Sequence, residues 1–286
     1  MPLGPLMIRQ PRQTSSRQRL KILDPFPMNP SYWNEYAEDT LNYLLEIEGR
    51  YDRYMYKGPD VDFPSHRATL VQWLVELCYG CFSYQPNTLH IAVNLLDRYL
   101  SAHGVTLVPL DQLQCVGMCA LMIAGKMEEN TIKLEIFELC RLCDLYTPRQ
   151  IASTELSILV ALKFEVLVSS ASGFSDYFKR AISAPPMVIE LIDFLCDLSL
   201  ISYKFLDFSN SQIAAAAVWI ALCAIHQDWS EELAILTGYS RTDLTPCSML
   251  FRELVCSQID TVDLRSTLGH KYPLEQILAT LTYVLQ

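Results

Sequence analysis

LQCVGMCALMIAGKMEE, residues 113–129, opens with thirteen uncharged residues and then turns ionic at Lys126, Glu128 and Glu129. A helix that is apolar on every side belongs in the interior of a protein, surrounded by other elements. The run is also shorter than the roughly 20 apolar residues that cross a bilayer. We therefore expect a buried central helix whose C-terminal end brings one lysine to the surface.

A second uncharged run, residues 209–226, follows about one hundred residues later. A shift of one hundred residues aligns Leu95 with Leu195, Asp97 with Asp197, Leu113 with Ile213, and Gly117 with Ala217. Helical patterns also surround both runs in the same order. Because self-similarity at a fixed spacing is the signature of structural repeats, the sequence predicts two tandem bundles, each built around its own buried helix.

Helical periodicity predicts an N-terminal helix from the N-cap Ser31 to about Tyr56. Gly58, Pro59 and Pro64 are expected to separate it from the first repeat. The helices of that repeat are predicted from Ser65, from Asn87 to about Gly104, over 113–129, from Leu134 to Cys143, and from the cap Thr147 to just before Phe164. No segment alternates with period two for long enough to form a strand. The predicted fold class is all-α, with two tandem five-helix repeats preceded by one helix.

Composition and the repeat together predict the domain limits. Residues 1–29 are rich in Pro, Gln, Ser and Arg and have little periodicity, which is typical of a mobile tail. The N-terminal helix and the first repeat are assigned to 30–168, and the second repeat to 169–262. Residues 263–286 form a C-terminal extension with one predicted short helix.

Charge and composition restrict the classes of function. Hydrophobic residues make up 51% of the chain, which is enough for well-packed cores, so we expect a globular protein. The net charge of -10 argues against a nucleic-acid partner, because phosphate contacts need a surplus of Lys and Arg. We also predict no membrane contact.

Ten cysteines occur in a chain whose first residues lack a long apolar secretory segment. This combination indicates reduced thiols without disulfides, in the nucleus, the cytoplasm or both. The pairs Cys78 with Cys81 and Cys140 with Cys143 have a spacing that also occurs in zinc sites. Since residues i and i+3 of a helix share a face, buried thiols are the favoured interpretation, and no metal or cofactor is predicted.

Several segments, taken in combination, resemble the cyclins. Those that resemble the cyclin box are HRATLVQWLVE at 66–76, TLHIAVNLLDRYLS at 88–101, the opening stretch at 113–129 and TELSILVALKFEV at 154–166. Those that resemble the C-terminal cyclin fold of the A and B types are LCDLSLISYKFLDFSNSQIAAAAVWIAL at 195–222 and LTGYSRTDLTPC at 236–247. The resemblance spans roughly residues 30–260.

The resemblance implies a non-catalytic subunit that binds and activates a cyclin-dependent protein kinase in cell-cycle control. The positions that bind the kinase in cyclins fall here on Lys126 and Glu155, beside an implied apolar floor for the kinase αC helix. The floor positions are Ile123, Met127, Leu159, Phe164 and Val166, with Met127 standing where an aromatic residue is usual. Apart from the resemblance, Lys126 would be interpreted as an ordinary lysine at a helix C-terminus, favoured by the helix dipole.

Two further sets of positions follow from the resemblance. Arg67 and Asp97 match an internal ion pair of the cyclin box, which implies a structural role. A shallow groove that accepts RxL-containing substrates or inhibitors falls on His66, Thr69, Leu70, Trp73, Glu76 and Gln114. His66 and Thr69 depart from the larger apolar residues of the family, and the smaller apolar area should weaken the capture of a leucine side chain.

Other classes of function fit the sequence less well. An enzyme is disfavoured because no phosphate loop, GxSxG or HExxH motif occurs, and the five histidines are scattered singly. His90 in particular lies on an apolar helical face, and we interpret it as a core residue. A general transcription factor of the B type has similar tandem repeats, but the acidic second half and the lack of a zinc ribbon count against it. A cyclin that acts in transcription is the remaining alternative, and the helix before the box favours the cell-cycle branch.

Overall fold

The structure is a computed structural model that describes residues 36–50, 63–103, 108–131, 134–258, 267–269 and 271–284. Within these ranges the regular structure is helical and contains no β-strand, which confirms the all-α fold class. The predicted tail, residues 1–29, lies outside the described residues, as do both predicted ends of the N-terminal helix, Ser31 and Tyr56.

Helix α1, Ala37–Arg50, precedes the first repeat. The five helices of that repeat are α2 (Phe63–Val75), α3 (Pro86–His103), α4 (Leu110–Glu128), α5 (Ile136–Leu142) and α6 (Pro148–Ala161). A π-helical turn, Glu76–Cys81, prolongs α2. The number and order of the helices agree with the prediction.

The second repeat has the same order of helices. Its members are α7 (Ala171–Ala181), α8 (Pro186–Ile201), α9 (Asn210–Cys223), α10 (Glu231–Thr237) and α11 (Arg241–Gln258). A short 3₁₀ helix, Tyr203–Asp207, connects α8 to α9. Helix α12, Leu274–Val284, lies in the C-terminal extension and packs against α11.

The two uncharged runs are the central helices of their repeats, as predicted. In α4, Leu113 and every residue from Cys115 to Gly125 are buried, and α2, α3 and α6 pack around the helix. In α9, every residue from Ile213 to Leu222 is buried, and α7, α8 and α11 surround it. Burial on all sides explains why neither run contains a charged residue.

Equivalent helices of the two repeats begin one hundred residues apart, as the sequence alignment predicted. Helix α3 begins at Pro86 and α8 at Pro186. Pro109 is the N-cap of α4, and Ser209 is the N-cap of α9. The weak sequence match therefore reflects two copies of one arrangement, in which the helix before each central helix starts at the same relative position.

Thr147 caps α6 as predicted. Its hydroxyl accepts a hydrogen bond from the Gln150 backbone N–H at 3.3 Å, and the Gln150 side chain accepts one from the Thr147 N–H at 2.9 Å. Pro148 occupies the first helical position, where its missing N–H has no intrahelical role. This capping box determines where α6 begins.

Two predicted helix limits were wrong. Pro64 does not break the chain before a helix at Ser65, because α2 begins at Phe63 and includes Pro64 in its first turn. Proline is tolerated there, since the N–H groups of the first turn have no intrahelical partner. The helix predicted from Leu134 to Cys143 is shorter and spans Ile136–Leu142.

Helix α1 is anchored to the second repeat through Glu48. The Glu48 carboxylate accepts hydrogen bonds from the Ser211 backbone N–H at 2.8 Å and from its hydroxyl at 2.6 Å. Because Ser211 lies in the first turn of α9, the negative charge is placed favourably at a helix N-terminus. The N-terminal helix thus contributes to the placement of the second repeat.

All ten cysteines carry free thiols, and Cys78 and Cys143 are buried whereas Cys81 is exposed. Among the described residues, no three His, Cys, Asp or Glu side chains gather as a metal site would require. Of the helices that the structure describes, none is both long and apolar enough to traverse a bilayer.

Candidate partner-binding site

The C-terminal end of α4 is held against the start of α3 by two carboxylates. Glu129 accepts hydrogen bonds from the Gln85 backbone N–H at 2.8 Å and from the Thr88 hydroxyl at 2.5 Å. Glu128 accepts one from the Asn87 side chain at 2.6 Å. Acidic groups at a helix N-terminus are favourable, and here they fix the turn that carries Lys126. This role of the two glutamates is not predicted from the sequence.

Helix α6 packs beside α4 through two weak thiol hydrogen bonds. The Cys119 thiol donates to the Ile151 carbonyl at 3.5 Å, and the Cys115 thiol donates to the Thr154 hydroxyl at 3.6 Å. Glu155 is the next residue after Thr154, so the packing of α6 on α4 brings it within reach of Lys126.

Lys126 and Glu155 form an ion pair at the surface. Their Nζ and Oε1 atoms lie 2.5 Å apart, and the side chains are 40% and 17% exposed. A partly exposed pair of this kind contributes about 0–1 kcal/mol to stability. The fold therefore depends little on this pair, and both charged groups remain accessible to another molecule.

Exposed apolar side chains follow Glu155 along the chain. Leu156, Val160, Phe164 and Leu167 are exposed, with Phe164 at 61%. Among the predicted floor residues, Met127, Leu159 and Val166 are partly buried and pack against the core. We call the exposed and partly buried members of this set the α6 patch: Met127, Leu156, Leu159, Val160, Phe164, Val166 and Leu167.

Ile123 differs from the other predicted floor residues because it is only 4% exposed and lies in the core of the first repeat. It therefore offers almost no surface of its own. Leu156, Val160 and Leu167 were not predicted. Leu156 and Val160 are four residues apart on a helix and so share one face, which is a signal that the sequence does contain.

The turn after α6 has an unusual backbone. Lys163 and Phe164 have φ values of 54° and 60°, a region that residues other than glycine rarely adopt. The Phe164 N–H donates to the Leu159 carbonyl at 2.8 Å, which closes the turn. The strained turn directs the chain away from α6 and leaves the Phe164 ring in solvent.

Arg67 and Asp97 are brought together inside the first repeat. The guanidinium Nε and Nη2 donate to the two carboxylate oxygens, each at 2.7 Å, and both side chains are 2% exposed. The remaining nitrogen, Nη1, donates to the Leu200 carbonyl of α8 at 2.8 Å. The pair therefore also connects the two repeats.

The predicted RxL groove lies along α2 and against α4. Trp73 and Gln114 are partly buried, while Thr69 and Glu76 are exposed. Leu70 is buried and lies close to Gly117 of α4, so it contributes little open apolar surface. The Thr69 hydroxyl donates to the Ser65 carbonyl at 3.1 Å, and the Nδ1 atom of the partly buried His66 has no hydrogen-bond partner among the residues that the structure describes. The docking role of these residues stays a prediction.

His90 is a core residue, as interpreted from the sequence. Its Nε2 atom lies 3.1 Å from a carboxylate oxygen of Asp197 in the second repeat. The pairing of Asp197 was not predicted, although the repeat alignment had matched Asp197 with Asp97.

Two family models match the chain. "Cyclin, N-terminal domain" matches residues 39–167, and "Cyclin, C-terminal domain" matches residues 172–278. The first match contains Lys126, Glu155 and the whole α6 patch. The second contains the helices of the second repeat, apart from the first residue of α7, and the first part of α12.

Curated relatives share about a third of their residues with this chain. Cyclin-B1-3 of Arabidopsis thaliana is 35% identical over 221 residues, which is 76% of this chain and 52% of the relative. Cyclin-A2 of Homo sapiens is 36% identical over 233 residues, covering 79% of this chain and 52% of the relative. The chain thus spans about half the length of these relatives.

Solved structures share the fold at low identity. A viral cyclin from herpesvirus saimiri aligns with a TM-score of 0.63 and 20% identity, covering 77% of this chain and 96% of that chain. The yeast RNA Pol II CTD kinase CTDK-1 complex contains a chain that aligns with a TM-score of 0.59 and 17% identity, covering 78% of this chain and 76% of that chain.

Proposed function

We propose that this chain, which belongs to the cyclin family, is a non-catalytic regulatory subunit that binds and activates a cyclin-dependent protein kinase. The A-type and B-type names of its relatives support a role in cell-cycle control. The chemistry of phosphoryl transfer belongs to the kinase, and this chain acts by contact.

One observation carries the proposal: an accessible Lys126–Glu155 pair lies beside the α6 patch. Exposed apolar side chains rimmed by charged groups are typical of protein interaction sites. An ammonium group with three donors can keep Glu155 as one partner and still donate to backbone carbonyls of another chain. The patch offers the apolar contact area, and the pair orients the partner.

The bound segment would be the αC helix of the kinase. A kinase is active only when a lysine of its small lobe is paired with a glutamate of αC. If αC packs on the α6 patch, it is held inward and this ion pair is complete. The subunit therefore stabilises the active arrangement by binding it in preference to the inactive one.

An affinity capture experiment with a panel of cyclin-dependent kinases tests the proposal. The wild-type chain is expected to retain at least one kinase, and the double variant Lys126→Ala/Glu155→Ala is expected to lose it. Lys204→Ala/Glu253→Ala is a matched control, because that exposed pair in the second repeat has the same 2.5 Å separation. Equal recovery by the wild type and the Lys126/Glu155 variant would discard the site.

We further propose that the α2 face accepts RxL-containing substrates or inhibitors. Trp73, Glu76 and Gln114 support this, because an aromatic side chain, an acid and an amide can receive a short basic peptide. Binding of an RxL peptide, measured by fluorescence anisotropy, should weaken at least tenfold in Trp73→Ala. Unchanged affinity in that variant would remove the groove from the functional surface.

We propose a nuclear or cytoplasmic location and no nucleic-acid or membrane partner. Ten free thiols suit a reducing compartment, and the net charge of -10 disfavours phosphate contacts. Microscopy of a fluorescent fusion tests the location. A gel-shift with promoter DNA separates this proposal from a B-type general transcription factor, which would retard the DNA.

A further inference from the structure

A buried carboxylate joins three parts of the chain. Asp197, in α8 of the second repeat, is 1% exposed. Its side chain takes part in four hydrogen bonds: with the Tyr79 hydroxyl at 2.8 Å, His90 Nε2 at 3.1 Å, Lys271 Nζ at 2.8 Å and the Tyr272 hydroxyl at 2.7 Å. Tyr79 and His90 belong to the first repeat, and the other two partners belong to the C-terminal extension.

Lys271 supplies the positive charge of this cluster. Its Nζ atom lies 4.0 Å from the ring centroid of Tyr79 and 4.6 Å from that of Tyr272, so two aromatic faces enclose the ammonium group. The Lys271 side chain is 23% exposed, whereas Asp197 and His90 are buried. Lys271 is therefore the ionic member of the cluster that can turn into solvent.

The environment keeps Asp197 ionised. Burial alone would raise the pKa of Asp197, but the hydrogen bond with His90 and the charge of Lys271 outweigh it and hold the pKa well below its ordinary value. A buried anion of this kind requires its partners, because an uncompensated charge in the interior is strongly unfavourable.

The helix that follows Lys271 has a separate apolar attachment. Leu274, Ile277 and Leu281 of α12 are buried, and the Tyr272 ring meets that of Phe194 edge-on at 5.6 Å. Tyr283 near the end of α12 is exposed. The extension thus has one narrow apolar stripe and one ionic anchor.

We propose that residues 271–284 form a clasp, closed by Lys271 on Asp197, which attaches the C-terminal extension to both repeats and opens when the Lys271 charge is lost. Hydrogen bonds that do not involve the clasp also join the repeats, among them Arg67 to Leu200 and Ser170 to Asn87. Opening therefore frees α12 and loosens the contacts of Tyr79 without unfolding either repeat. The inference concerns this chain alone and does not rest on the proposed kinase partner.

Amide hydrogen exchange of the full chain, followed by mass spectrometry, tests the clasp. In Lys271→Met, the amides of α12 and of the turn 76–81 should exchange at least tenfold faster than in the wild type. Those of α4 should keep their rates. Lys271→Arg retains the charge and should stay close to the wild type. Lys204→Met, which removes an exposed lysine of the second repeat, is the matched control.

Two results would overturn the proposal. If α12 exchanges at the wild-type rate in Lys271→Met, the apolar stripe alone holds the extension. If the rates rise equally throughout the chain, Lys271 supports the whole fold and not a separable clasp. Should Lys271→Met fail to fold, Tyr272→Phe removes a single donor while it keeps the ring. That variant should show a smaller increase confined to the same segments, and no local increase would count against the clasp.

Discussion

Asp97 in α3 and Asp197 in α8 occupy equivalent positions of the two repeats, and each is almost fully buried. Asp97 receives two hydrogen bonds from one residue of its own repeat, Arg67. Asp197 instead has partners from the other repeat and from the C-terminal extension. Asp97 thus bonds to a residue of its own repeat, and that residue reaches the other repeat, whereas Asp197 bonds directly to separate parts of the chain.

The ends of the two central helices differ in a similar way. Lys126 at the end of α4 pairs with Glu155 beside the α6 patch. The residue one hundred positions later, His226, has a left-handed backbone and lies beside Tyr283 of α12, with 6.5 Å between ring centroids. The first central helix ends at a surface suited to another protein, whereas the second ends next to the chain's own extension.

Of the variants that test the difference between the two repeats, Arg67→Met should lose the most unfolding free energy. The Arg67→Met substitution would remove the guanidinium that neutralises the buried Asp97 carboxylate, which costs about 3–5 kcal/mol of unfolding free energy. Urea unfolding followed by circular dichroism measures the loss. Lys204→Met, at an exposed ion pair, should change the value by less than about 1 kcal/mol. A loss of similar size in both variants would show that Arg67 is not an essential partner.

Asp197→Asn should lower the unfolding free energy by a smaller amount, about 2 kcal/mol at neutral pH. The loss is smaller because Lys271 can turn its ammonium group toward solvent. The effect should also depend on pH. Since the pKa of Asp197 is lowered in the folded chain, its ionisation stabilises the wild type above the unfolded pKa of about 3.9 and less so below it. The difference in unfolding free energy between wild type and variant should be full above about pH 5 and shrink below about pH 4. A difference that stays constant from pH 7 to pH 3 would contradict an ionised Asp197.

Gly117 and Ala217 occupy equivalent positions in the two central helices, and substitutions there compare how tightly α4 and α9 are packed. Ala217→Gly removes a buried methyl group and weakens the helix, so α9 should lose about 1–2 kcal/mol. In Gly117→Ala, the new Cβ would lie 3.0 Å from Leu70 Cδ1, and this crowding should offset the gain in helix propensity to within about 1 kcal/mol. Thermal unfolding of both variants measures the difference. Equal losses would mean that the two positions are packed alike.

Much of the fold was predictable because burial leaves periodic traces in sequence. The uncharged runs and the spacing of one hundred residues identified α4 and α9, and the Thr147 cap identified the start of α6. No comparable sequence pattern predicted the π-helical turn at 76–81. Pro64 was misinterpreted because a proline before a helix and a proline in its first turn look alike in sequence.

The candidate site was less predictable from the residues alone. Lys126 and Glu155 are 29 residues apart, and only the family resemblance related them. Leu156 and Val160 were missed because an apolar helical stripe predicts burial until the packing around it is known. The same limit applies to Asp197, whose partner Lys271 lies 74 residues away and whose other neighbours come from the first repeat.

The smallest expected effect concerns the caps of the last helix in each repeat. Ser240 and Asp243 form a capping box at α11 like that of Thr147 and Gln150 at α6, with Ser240 N–H to Asp243 Oδ2 at 2.9 Å. Thr147→Ala and Ser240→Ala should each lower the unfolding free energy by about 1 kcal/mol. Because the sites lie in different repeats, the losses should add within about 0.5 kcal/mol in the double variant. Thr245→Ala, an exposed position within α11, should stay within about 0.5 kcal/mol of the wild type. If one cap matters and the other does not, the two repeats do not unfold as one cooperative unit.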